Sequence, residues 1–366
     1  MLTALAAIRK VMHGNNRRYF IGDIMNLRTV KVITIFVVTF FISTGVQSEA
    51  VDEKVAVTSD TYIRAESDRQ FSQIAKMAGG VNRFFHFRDP TPLDKQNIVR
   101  MNRDTLYSMA VVDTSQGATI TVPELPEDRY VSVYLVDNDH YTPFVIYTSG
   151  THELPSDTKY LGLGIRIQVI DPENPEEISL VNELQDKFII SAKSADPFPS
   201  PNWDEESLSE LTKKYELDSA KYKDFTGMMG PRGEVNEKTR HIAAASGWGL
   251  FPEWDAMYLN YSGGQSEKSC YSAIYDVPEN NAFWSITVYG DDGFMKSNNN
   301  IVNSSTVQLD SDGRFTMFFG SEEICGNQKN RVDVSKGWNF IMRIYKPGEA
   351  VLDGSYVLPD PKPIKK

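Results

Sequence analysis

The stretch ATITVPELPEDRYVSVYLV, residues 118–136, decides the fold. Two runs rich in β-branched and aromatic residues flank a Pro- and Asp-punctuated turn, and within each run apolar and polar positions alternate. Alternation with period two predicts half-buried strands, because successive side chains on a strand point to opposite faces. PFVIYT (143–148) and IRIQVI (165–170) continue the signal at short spacing, with no helical pattern between them. That order predicts antiparallel pairing in a sandwich or jelly roll, not parallel βαβ units.

Working outward, residues 58–78 place Phe71, Ile74, Ala75 and Ala78 at helical spacing, and Gly79 and Gly80 end the run. Between about 172 and 262 the period becomes helical. DPENPEEISLVNELQDKFIISA has Pro175 near its first turn and Ile178, Val181, Leu184 and Phe188 on one face. DEESLSELTKKYEL and VNEKTRHIAAASG predict two further helices. Strands return in YSAIYDV, FWSITVYG, RFTMFFG and WNFIMRIY, with DDG (291–293) and SDG (311–313) as turn pairs. The expected architecture is mainly β: two antiparallel sandwich or jelly-roll-like domains, 51–171 with a leading helix and 263–366, joined by a helical connecting segment, 172–262.

The N-terminus reads as an address. Counting from Met25, Arg28 and Lys31 precede an 11-residue apolar core from Val32 to Ile42, and Ser48 and Ala50 supply the small residues of a cleavage site. Residues 25–50 are therefore expected to be a signal peptide of bacterial type, directing the chain to the periplasm or outside. Residues 1–24 read as a mis-assigned leader. The core is short for a membrane span, so no stable span is expected after cleavage, with a single N-terminal anchor as the competing reading.

Loss of residues 1–50 removes six basic and two acidic residues and moves the formal charge from −11 to −15. So acidic a surface repels nucleic acid and anionic headgroups, and leaves a small neutral or apolar ligand as the expected partner. The two cysteines, Cys270 and Cys325, are too few for a disulfide scaffold, but an exported chain permits a bridge between them.

Standard catalytic templates are missing. The sequence holds no G-x-S-x-G elbow, no H-E-x-x-H, no dinucleotide fingerprint and no P-loop. The densest charge lies in NIVRMNRDTLYSMAVVD (97–113). There Arg100, Asn102 and Asp104 share one face of an extended chain, with Arg103 opposite and Tyr107 following. Arg103 and Asp104 are candidate catalytic residues, and Arg100, Asn102 and Tyr107 candidate ligand contacts. A structural clasp, in which Asp104 pairs with an arginine at a buried strand end, is the stronger reading.

In DNDHYTPF, Asp139 could orient His140 as a general base, and Asp137, Asp139 and His140 offer ligands for a divalent metal, although such clusters after strands are usually turns. No cofactor is expected. His86 sits among Phe84, Phe85 and Phe87, where it packs in a core or lines an apolar pocket. GWGLFPEWDAMYLNY (247–261) gathers Trp248, Phe251, Trp254, Tyr258 and Tyr261, as a stacking platform for a ligand or as packing between domains.

GGVNRFFHFRDPTPLDKQNIVRMNRDTLYSMAVVDTS with DNDHYTPFVIY resembles the N-terminal module of the family called domain of unknown function 1254. FWSITVYGDDGFMKSN with GWNFIMRIYKPGEAVLDGSYVLPDPKPI resembles its C-terminal companion, domain of unknown function 1214. The resemblance covers most of the chain from Tyr62 to Ile364. It implies exported or envelope proteins built of two β-sandwich modules, in homo-oligomers, and it supplies no catalytic residue to carry over. Two functions are expected to compete: binding of a small molecule or envelope component between the modules, and an esterase-like hydrolase using Arg103, Asp104, Asp139 and His140.

Overall fold

The computed structural model describes residues 54–96, 99–199 and 201–364. The expected leader and signal peptide lie outside the described residues.

Helix α1 (Tyr62–Ala78) buries Tyr62, Ala65, Phe71 and Ile74 and ends where Gly79 turns left-handed at φ 73°, its N–H returning to the last carbonyls. The first sandwich follows. Strands β1 (Phe85–His86), β2 (Thr105–Asp113), β3 (Ala118–Val122), β4 (Val131–Asp137), β5 (Val145–Ile146), β6 (Gly150–Glu153) and β7 (Tyr160–Gln168) precede helix α2 (Pro175–Gln185) and strand β8 (Ile189–Ala192). They make a five-stranded sheet, β1-β2-β7-β4-β5, and a three-stranded sheet, β6-β3-β8, both antiparallel. Ala110, Val112, Val133, Leu135, Leu163 and Ile165 of the large sheet meet Ile120 of the small one, and Val181 and Leu184 of α2 close the edge. Each such side chain contributes about 1.5–3 kcal/mol on burial.

The other face of the large sheet is covered too. Phe71 of α1 lies over Gly162 of β7 so closely that a Cβ there would come within 2.8 Å of the ring. Helices α3 (Glu205–Asp218) and α4 (Arg240–Gly247) pack with α1 through Leu208, Tyr215, Ile242 and Ala243. Asp204 caps α3 by accepting from the Ser207 N–H at 2.8 Å.

The second sandwich comprises β9 (Ala256–Gln265), β10 (Tyr271–Tyr275), β11 (Trp284–Tyr289), β12 (Ile301–Asn303), β13 (Phe315–Phe319), β14 (Arg331–Val332), β15 (Trp338–Tyr345) and β16 (Lys362–Pro363). Sheet β14-β13-β10-β16 faces sheet β12-β11-β15-β9, antiparallel except where β13 meets β14. Its core is aromatic: Phe319 stacks on Trp338 at 4.9 Å and Trp284 on Phe315 at 4.6 Å. Cys270 and Cys325 are bridged, with Cα atoms 5.1 Å apart. Gly293 and Gly313, in the two expected turns, have φ of 76° and 81°.

The architecture is thus mainly β with antiparallel sheets. The stretch 172–262 departs from a purely helical connector. The helical run stops at Gln185, and Ile189–Ala192 leaves it to pair with β3. At the other end, β9 begins at Ala256, alternating Leu259 and Tyr261 toward the second core with Tyr258 and Asn260 on the opposite face.

Candidate functional site

The two sandwiches meet through the segment before β2. Asp104 is fully buried, and one of its carboxylate oxygens accepts from the Ser285 hydroxyl on β11. Arg103 pairs with Glu173 and reaches the carbonyl and side-chain oxygens of Asn298 at 3.3 Å. Arg100 adopts a left-handed backbone, φ 58°, that sends its N–H to the Gly293 carbonyl at 2.7 Å and its own carbonyl to the Arg343 guanidinium at 2.9 Å. The Tyr289 hydroxyl donates to the Met101 carbonyl at 2.7 Å. Asn102 stays local, donating to Thr105 at 3.1 Å and to the Tyr107 hydroxyl at 2.7 Å. These bonds satisfy polar groups that water cannot reach, and they fix one module against the other.

Beside this clasp lies a cavity of about 600 Å³. Gln70 and Gln73 of α1 form one wall, and Phe225, Met229, Trp248 and Phe251 of the helical layer another. Arg100 and Asn102 of the clasp complete it with Tyr258 of β9 and Ile341, Arg343 and Tyr345 of β15. On its polar side, Glu66 accepts from Arg69 at 2.6 Å and from Gln70 at 2.7 Å. Arg343 is only 4% exposed and also donates to Tyr289 at 2.8 Å. Burial lowers the Arg100 pKa and the neighbouring Arg343 charge adds to this, with Tyr289 opposing.

Of the sequence candidates, Arg100, Asn102 and Trp248 line this cavity. His140 does not. It follows β4 in a left-handed conformation, φ 64°, is 2% exposed, stacks against Trp248 at 5.6 Å and accepts the Gly249 N–H on Nε2 at 3.0 Å. Burial, with the Arg240 charge, pushes its pKa down to about 3, so it stays neutral.

The register also separates His140 from Asp104. Thr105 pairs with Gln168 at one end of β7, whereas Asp137 pairs with Leu161 at the other. The strand rise puts the two ends roughly 20 Å apart. A shared site of His140 with Asp104 and Arg103, which needs hydrogen-bond reach, is therefore not assembled.

Asp139 is held by Arg64 and Arg232. Burial would raise its carboxyl, but the bonds from these arginines outweigh that and hold it below the usual range. Asp137 accepts the Asp139 and Tyr141 N–H groups at 2.9 and 2.8 Å and pairs with Arg232 at 3.0 Å. The cluster is a bonded turn, and among the described residues no three His, Cys, Asp or Glu side chains converge as metal ligands. His86 is half-buried on β1, with Nδ1 2.7 Å from the Ser108 hydroxyl, away from the cavity. Tyr107 accepts from Asn102 and lies under Arg166, which is 5.6 Å from its ring centre.

Two lining residues, Arg343 and Tyr345, carried no motif, and a further arginine, Arg166, stacks on the lining residue Phe251 without lining the cavity itself. Arg166, on β7, is 1% exposed, sits 3.7 Å over the Phe251 ring, and has no well-formed hydrogen bond on any guanidinium nitrogen, the Tyr258 hydroxyl lying close by. The available signal was an arginine inside an otherwise apolar strand, as in IRIQVI and WNFIMRIY. A charge there is costly unless something answers it.

Two family models match the chain. Residues 81–153 match the family described as Protein of unknown function (DUF1254), and residues 266–349 match Protein of unknown function (DUF1214). Among curated proteins none matches. The fold is similar to the crystal structure of the VPA0106 protein from Vibrio parahaemolyticus, with a TM-score of 0.66 and 20% identity over 83% of this chain and 97% of that one. A second solved structure, from Burkholderia cenocepacia, aligns at 14% identity over 79% of this chain and 84% of that chain, with a TM-score of 0.44. At 20% identity the likeness to the Vibrio parahaemolyticus structure concerns the fold. No helix among the described residues is long and apolar enough to cross a membrane.

Proposed function

We propose that this chain, a DUF1254 module followed by a DUF1214 module, is a small-molecule-binding protein whose ligand sits in the cavity between its two sandwiches. One observation carries the reading: the cavity, about 600 Å³, is walled by both modules at once. Its volume falls within the ordinary range for ligand sites, which favour domain interfaces and mix apolar walls with a few polar groups. Binding is favoured over ester hydrolysis because the imidazole best placed by sequence, His140, is committed to the Gly249 N–H and does not line the cavity. We place this binding outside the cytoplasm, a reading supported by the Cys270–Cys325 bridge.

The test is ligand-induced stabilisation of the purified full chain across a panel of small metabolites. A ligand present at about 100 times its Kd stabilises by roughly 2.7 kcal/mol, which moves the melting temperature measurably. Ala245→Trp, which fills the cavity from α4, should erase the shift while leaving the unliganded melt in place. If no compound shifts the native protein, the binding reading is wrong. Turnover of short-chain esters that Ala245→Trp abolishes would instead favour the hydrolase.

A further inference from the structure

We propose that the cavity is built for an amphipathic carboxylate, with its anionic head at Arg100 and Arg343 and its apolar body against Trp248, Phe251 and Ile341. This rests on the cavity being a ligand site.

The starting point is a guanidinium nitrogen that lacks a partner. Arg100 and Arg343 stand side by side at the wall, and among the described residues neither forms an ion pair. The Nη1 of Arg100 is buried with no hydrogen-bond partner. Arg343 spends its donors on neutral oxygens: the Arg100 carbonyl, the Tyr289 hydroxyl and Thr287. Over the Phe251 ring, and outside the cavity lining, stands a third guanidinium, Arg166, whose nitrogens have no well-formed hydrogen bond, with the Tyr258 hydroxyl close by.

Carboxylates stand nearby: Glu66, Glu216, Asp224 and Glu253 line the cavity, and Asp104 and Asp255 are close enough to bear on Arg343 and Arg166. Asp104, whose charge bears on Arg343, accepts from Ser285 with one oxygen, leaving its other, Oδ1, without a hydrogen bond. Asp255 accepts from Tyr147 at 2.5 Å and faces Lys346 as well as Arg166. Glu66 is bound by Arg69 and Gln70, and Glu253 accepts the Gly227 N–H at 3.2 Å. The wall therefore holds acidic and basic groups alike, but the Arg100 Nη1 is left without a partner, a cost that an incoming carboxylate offsets by bonding to it.

The remaining walls dictate the rest of the ligand. Trp248, Phe251 and Ile341 are buried apolar surface, as are Leu250 and Met229. A fully hydrated anion would leave them wet, whereas a carboxylate on an apolar chain or ring satisfies both halves.

The experiment titrates the full chain with matched pairs: decanoate against 1-decanol, and 4-phenylbutyrate against 4-phenylbutanol. The carboxylate of at least one pair should bind ten-fold or more tighter than its alcohol. Arg100→Met should remove that preference while leaving alcohol binding intact. Arg100 suits the test because its contacts to the second module are made by its main chain, whereas Arg343→Met endangers the fold. Equal affinity for acid and alcohol, both lost in Ala245→Trp, overturns the charge assignment and leaves the cavity reading standing. An acid preference that survives in Arg100→Met also overturns the assignment. No binding by either pair, with no other compound shifting the melt, overturns both readings.

Discussion

Arg343 of β15 donates from its guanidinium to the backbone carbonyl of Arg100, 243 residues earlier, over 2.9 Å. One side chain of the second sandwich thereby fixes the peptide whose own side chain reaches the cavity. The clasp and the candidate site are the same piece of chain, so a change that loosens one alters the other.

Ser285→Ala should expose that coupling. It removes the donor to the buried Asp104 carboxylate and leaves that charge without a direct hydrogen bond among the described residues. Bonds to charged groups are worth about 1.5–3 kcal/mol, and a loss of that size is expected in urea unfolding. An unchanged midpoint would mean that Ser285 is not the group compensating Asp104.

Arg166→Met tests the opposite sign. A buried guanidinium with no well-formed bond is a burden on the fold, relieved in part by its stacking on Phe251. Replacement by an apolar side chain of similar length should leave stability unchanged or raise it by ~1–4 kcal/mol. A melting temperature that drops sharply would show that the tyrosines around Arg166 solvate it better than their geometry suggests.

Acid should weaken the protein through His140. Its pKa is about 6.5 when unfolded and is depressed to about 3 in the fold. The unfolded state therefore binds the proton first, and stability is full above pH 6.5 and is lost as pH falls from there toward 3. Between pH 7 and pH 5 the expected loss is about 2 kcal/mol. His140→Gln, whose amide oxygen can still accept the Gly249 N–H, should lose correspondingly less over the same interval. The comparison is made by urea titration at both pH values, and equal losses in the two proteins would exclude His140 as the source.

The Cys270–Cys325 bridge closes a loop of 55 residues in sequence separation. Loop-closure entropy predicts about 4 kcal/mol of stabilisation for a loop of that size. Reduction with dithiothreitol, or Cys325→Ser, should lower the melting temperature by several degrees, and no shift would show that the native contacts around Gly320 carry the loop unaided.

Much of this was legible in advance. Period-two runs such as RYVSVYLV became β4, and Pro175 opens the helix whose first turn it marked. FIISA was read as the end of a helix, because Phe188 continues the apolar face of α2. Only pairing with β3, 70 residues away, makes it a strand. The charged knot before β2 is visible in the sequence, but the expected Asp104–arginine ion pair is not among those of the described residues: Asp104 accepts from Ser285, and Arg103 pairs with Glu173 and reaches Asn298. Arg343 is not legible as a site residue, since local patterns do not show which strand face will look into a cavity, and neither is Arg166, which stacks on Phe251 of that wall. His140 illustrates the converse. Its chemistry suggested a base, while the Gly249 N–H that occupies it is supplied by a turn 109 residues later.

The five-stranded sheet has a final consequence. Its outward face, with Met109, Val111, Tyr134 and Val136, shares one apolar cluster with Ala256, Phe283 and Tyr345 of the second sandwich. Segments matched by two separate family models are therefore held by one buried apolar cluster. A chain cut between them would turn that cluster's halves toward water.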